Sequence, residues 1–200
     1  MFLTNRTYVP DDEHYICTGA ILGYRWVLTS YQCIFPLLMM GNYTTVFTGS
    51  SKSLSGRTNA INNYRLPVNL TPYLPIGVDI TLLELDGFVP FDNISNLIKI
   101  SSKTDFEENI NLTIVGYSWY RDVNDTSTFH DARHSSISYL SQGNCENKEN
   151  EYLMCVGGDV DNDDGGANYQ ANDASLILTE IDGDFVLSGI VALVVNGQLQ

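Results

Sequence analysis

Apolar residues come in short runs along this chain, with turn-forming residues between them. The runs cover residues 17–29, 79–85, 112–117, 136–140, 174–178 and 185–195. Their length and their Gly, Asn, Asp and Ser boundaries predict β-strands. No stretch keeps a 3.6-residue apolar period over four turns, and Gly23, Gly41, Gly87, Gly116 and Gly183 punctuate the runs, so helices should be few and short. Residues 89–102 break the rhythm with Pro90, Asp92, Asn93 and Asn96 and read as a crossing between two halves. There is no internal repeat and no low-complexity tract.

Two hundred residues, 44% of them hydrophobic, suffice to bury a core. Ten Lys and Arg stand against 24 Asp and Glu, and a net charge of -14 repels nucleic acid and anionic lipid. The longest apolar runs, 35–40 and 189–195, fall far short of the roughly 20 residues a spanning helix needs. Neither nucleic acid nor membrane is therefore an expected partner. Residues 1–3 are too short an apolar start to be a signal peptide. Secretion is argued instead from an even cysteine count of four and from Asn-x-Ser/Thr triplets at Asn5, Asn42, Asn69, Asn93, Asn111 and Asn124, the glycosylation candidates.

Metal chemistry finds little support. Residues 159–165 resemble a calcium loop, but that pattern wants Gly at its sixth position and Glu at its twelfth, where this chain has Asp164 and Gln170. A solvated acidic loop is the better reading. His130 and His134 flank Asp131 among Ser, Thr and Asn, without the setting of a ligand set. No metal and no cofactor are expected.

Three segments carry a resemblance. The first runs from Cys17-Thr18-Gly19-Ala20 to Trp26-Val27-Leu28-Thr29-Ser30-Tyr31-Gln32-Cys33, its cysteines 16 positions apart. The second is Val78-Asp79-Ile80-Thr81-Leu82-Leu83-Glu84-Leu85. The third joins Met154-Cys155-Val156-Gly157, Gln170-Ala171-Asn172-Asp173-Ala174-Ser175 and Ser188-Gly189-Ile190-Val191. In this order they resemble the trypsin-like serine proteases, whose segments read Trp-Val-Leu-Thr-Ala-Ala-His-Cys, Asn-Asp-Ile-Ala-Leu-Leu-x-Leu and Gln-Gly-Asp-Ser-Gly-Gly. The resemblance implies an all-β fold of two antiparallel six-stranded Greek-key barrels, residues 1–95 and 96–200, both halves of one peptidase-like domain. It implies disulfides Cys17–Cys33, beside a buried Trp26, and Cys145–Cys155. Against the family the chain looks incomplete at both termini.

The chemistry of that family needs a hydroxyl nucleophile, an imidazole to carry its proton and a carboxylate to orient the imidazole. The resemblance places Gln32 at the histidine, Asp79 at the carboxylate and Asp173 at the nucleophile. An amide does not serve as a base near neutral pH. An ionised Asp173 would also oppose an oxyanion about 4 Å away by roughly 4 kcal/mol. Ser175 falls on a glycine of the motif and reads as structural. At the oxyanion and activation positions stand Ala171 and Asn172, and a neutral amide cannot anchor a new amino terminus. The specificity pocket maps to Ala167, which carries no charge, and to Ala192, Leu193 and Val194, where the family has Ser-Trp-Gly.

The resulting expectation is a secreted serine protease homologue without peptidase activity. It would act by binding a protein, whether a protease, an inhibitor or a cascade component, as decoy, inhibitor or cofactor. The alternative is a hydrolase with unconventional residual activity using Asp79 and Asp173 as acid and base.

Overall fold

In the computed structural model, which describes residues 2–5, 17–32, 34–35, 44–52, 55–67, 79–103, 106–117, 132–140, 153–157, 174–191, 194–195 and 198–199, the expected β rhythm becomes two antiparallel sheets, each curled as a half barrel. The first contains β1 (Phe2–Asn5), β2 (Ala20–Gly23), β3 (Trp26–Thr29), β4 (Thr44–Thr48), β5 (Arg57–Arg65) and β6 (Thr81–Leu85), in the order β1-β4-β5-β6-β3-β2. The second contains β7 (Asn111–Tyr117), β8 (Ala132–Tyr139), β9 (Val156–Gly157), β10 (Leu176–Ile181), β11 (Asp184–Ile190), β12 (Val194–Val195) and β13 (Gln198–Leu199), in the order β11-β10-β7-β8-β9-β13-β12. Among the described residues the two-residue β12 and β13 of this sheet pair with each other, and β13 also pairs with β9.

Local sequence explains the best-formed elements. β6 alternates, so Thr81, Leu83 and Leu85 are buried while Leu82 and Glu84 are half-buried. In β3 the same alternation buries Val27 and Thr29 and turns Trp26 outward, 36% exposed, which corrects the expectation of a buried Trp26. β10 and β11 are joined by Asp182 and Gly183, both at positive φ (54° and 84°). An Asp-Gly pair suits a two-residue hairpin because the turn needs left-handed backbone at both central positions.

Each sheet covers a core of its own. Cys17, Val27, Ile34, Val46, Leu83, Leu85 and Val89 form the first, and Ala174 from the far half of the chain packs into it. Leu112, Ile114, Ile137, Val156, Ile177 and Val191 form the second. A third cluster of Ala20, Leu176 and Leu187, with Leu22, Leu28 and Ile98 against it, joins strands of both sheets.

Polar bonds reinforce that junction. Tyr117 at the end of β7 donates its backbone N–H to the Thr18 hydroxyl (3.2 Å) and its phenol to the Ser50 carbonyl (2.7 Å). Burial pushes the Tyr117 phenol up to about 12. The segment between β6 and β7 runs along both sheets: Ile98 donates to the Ile21 carbonyl, and Leu187 exchanges bonds with Lys99 and Ser101. Asp92 accepts from the backbone of Ile94 and Ser95 and from Arg57 of β5. The Arg57 hydrogen bond is the main reason its carboxyl lies below the usual carboxylate range.

Candidate functional site

Register brings the acid corner together. Thr29 at the end of β3 pairs with Thr81 at the start of β6, so the residues after β3 meet those before β6. Ser30 and Gln32 thereby reach Asp79. Asp79 is 5% exposed; one carboxylate oxygen accepts the backbone N–H of Gln32 at 2.8 Å and the other accepts the Ser30 hydroxyl at 2.5 Å. Ser30 is fully buried, and the Gln32 side chain faces solvent. The Thr29 hydroxyl donates to the Thr18 carbonyl at 2.7 Å, tying the corner to the residue beside Cys17. Cys17 and Cys155 are both buried and disulfide-bonded.

A second structure forms where β10 begins. Ala174 donates to the Val191 carbonyl and Val191 donates back to the Ser175 carbonyl. Ala174 holds φ at 66°, a conformation glycine adopts freely and a β-carbon resists. Its methyl is fully buried in the first sheet's core. Ser175 is also fully buried, and its hydroxyl has no hydrogen-bond partner among the described residues. The resemblance puts both residues on the two glycines that follow the nucleophile position, so the backbone there keeps a glycine-like shape around residues that are not glycine.

Of the other sequence-derived positions, Asp173, Ala171, Asn172, Ala167, Ala192, Leu193, Cys33, Cys145, Asn42, Asn69 and Asn124 lie outside the described residues, as do the segment 159–165 and His130. Val194 lies in β12, paired with Leu199, and Asn5 lies in β1, paired with Thr44. Asn93 and Asn111 are exposed. Ser30 is the residue that sequence reading passed over. The available signal was a hydroxyl where the family segment reads Ala, one position before the turn that carries Gln32. Among the described residues no group of three or more His, Cys, Asp or Glu could hold a metal ion.

Asp79 also reaches a cavity of about 230 Å³ between β3, the segment after β6 and β11. Its walls are aliphatic, with Leu28 from the first sheet facing Leu187 and Val191 from the second. Asp79 therefore sits where the two halves meet.

No match to the chain was found among curated protein sequences. The crystal structure of an inactivated protease paralogue from the scabies mite, S-D1, superposes with a TM-score of 0.69 at 15% identity, over 99% of this chain and 84% of that one. That likeness is one of fold. The family model described as Trypsin matches residues 2–184, and with its two curled sheets and an Asp79 corner built between β3 and β6 the chain belongs to the trypsin family.

Proposed function

We propose that this chain is a secreted protease homologue that lacks peptidase activity and acts by binding a protein, as a decoy, inhibitor or cofactor of a proteolytic cascade. The observation that carries the reading is the acid corner. Asp79 accepts the backbone N–H of Gln32, and the side chain beyond that N–H is an exposed amide where the family has its imidazole. An amide cannot take a proton from a nucleophile or return it to a leaving group. Asp173, at the nucleophile position, offers no hydroxyl. Disulfide-bonded Cys17 and Cys155 support an oxidising compartment, and the pairings proposed are Cys17–Cys33 and Cys145–Cys155. The scabies mite neighbour is itself described as inactivated, which agrees with this reading. With catalysis gone, the face that a protease turns to proteins is left for binding.

The hydrolase alternative would use Asp79 as acid or base. Its burial and its bonds to Ser30 and Gln32 speak against ready exchange with substrate. A fluorophosphonate ester reagent separates the readings. The native chain and the double substitution Gln32→His with Asp173→Ser are both expected to remain unlabelled and inactive on peptides, because Ala171 and Asn172 still disturb the oxyanion and activation positions. Losing one oxyanion donor alone costs about 3 kcal/mol. Labelling of the native chain would refute the loss of activity. Labelling of the double variant alone would show inactivation only two substitutions deep.

A further inference from the structure

We infer that Asn93 carries an N-linked glycan whose first sugar packs on the ring of Phe91. The inference rests on the secretion proposed above, because such glycans are added along the secretory route. Of the glycosylation candidates whose placement is described, Asn5 and Asn111 lie in strands opposite Thr44 and Ser138, whereas Asn93 lies exposed on the segment between β6 and β7. Hydrogen bonds close a small loop around it. Asp92 donates its N–H to the Ser95 carbonyl (2.8 Å), and its carboxylate, held by Arg57, accepts the N–H groups of Ile94 and Ser95 (2.9 and 3.0 Å). Phe91 enters that loop two positions before Asn93, so their Cα atoms are at most about 7 Å apart. One face of Phe91 stacks on Tyr24, with ring centroids 4.2 Å apart and planes at 15°, and the ring is only half-buried. Phe88, Ile94 and Leu97 on the same segment are 71%, 62% and 43% exposed.

A sugar tethered at Asn93 suits this surface. The C–H face of a pyranose is apolar and lies flat on an aromatic ring while its hydroxyls stay in water, so it covers exposed aromatic surface without burying a polar group. The covalent link makes the contact intramolecular, at the high effective concentration of a short tether. In the transfer, the Asn93 amide nitrogen attacks C1 of the first sugar of a lipid-linked oligosaccharide diphosphate. The N–C1 bond forms, the C1–O bond to the diphosphate breaks, and one amide proton is released with the lipid diphosphate. Ser95, the hydroxyl residue of the triplet, is 5% exposed with its oxygen buried, so the transfer enzyme reads it before the loop closes, and Asn93 stays at the surface afterwards.

The test uses the full chain made behind a cleavable leader in a eukaryotic secreting host. Mass mapping of the peptide that holds Asn93 should find it glycosylated in most chains. Enzymatic removal of all glycans should lower the melting temperature, and the drop should be about 2–4 °C smaller in Phe91→Leu, which lacks the stack while sharing every other glycan with the native chain. If Phe91→Leu does not fold, the readout is a nuclear Overhauser contact between the Phe91 ring and the first sugar in the native chain, trimmed to that sugar. A bare Asn93 would overturn the inference and leave the proposed function standing, since the leader supplies the route. An equal drop in both chains, or no contact between ring and sugar, would overturn it as well.

Discussion

The acid corner and the turn that opens β10 have both departed from the family sequence, with opposite physical results. At the corner Ser30 stands where the family segment has Ala, and the new hydroxyl found a carboxylate waiting at 2.5 Å. At the turn Ala174 and Ser175 stand where the family has glycines. One holds a left-handed φ of 66°, and the other has a fully buried hydroxyl without a partner. A polar substitution is accommodated when an acceptor already faces it, and frustrated when the buried site offers none. The corner is therefore a stabilised remnant, whereas the turn retains the family geometry at a cost in strain.

The largest expected effect comes from breaking the satisfied side. Asp79→Ala removes the carboxylate that accepts from the buried Ser30 hydroxyl and from the Gln32 N–H, and should cost about 3 kcal/mol. A thermal melt should then fall by roughly 6–12 °C for a chain of this size; an unchanged melting temperature would remove the contrast between the two regions.

Tyr117 calibrates the satisfied side through pH. Its phenol lies near about 12 in the folded chain, above its ordinary value of 10.0, so the folded state holds the proton more tightly than the unfolded one. Stability from this group is complete below about pH 10 and is lost as pH rises toward 12, by roughly 2–3 kcal/mol. Urea melts across that window should show the loss, and Tyr117→Phe should lack that share of it. If the variant and the native chain decline in parallel, Tyr117 is not the group responsible.

The smallest effect tests the frustrated side. Ser175→Ala removes a buried hydroxyl that has no partner among the described residues and keeps the volume nearly constant, so it should stabilise the chain by about 1 kcal/mol. The urea midpoint should rise at unchanged slope. A lower midpoint would mean that the hydroxyl is satisfied, and the two regions would then no longer differ.

Strand prediction succeeded where burial is written in the residues. β6 and β7 carry alternating or continuous apolar runs, and both lie where those runs predicted them. β5 escaped because Arg57–Arg65 holds little besides Ala60 and Ile61 that is apolar, and its residues are half-buried or exposed, none of them buried. It is a strand because β4 and β6 on either side satisfy its backbone. β8 starts four residues before the run at 136–140 for the same reason, since β7 extends the ladder to Ala132.

By itself the sequence determined the all-β class, the break at Gly183 and the three segments that place this chain in its family, because each depends on residue type at short spacing. Tertiary structure alone decided that Ser30 reaches Asp79 across 49 positions, that Ala174 packs into the core of the other sheet, and that Asp79 borders an aliphatic cavity. Those relations depend on strand register and on how two sheets meet, and a linear pattern records neither.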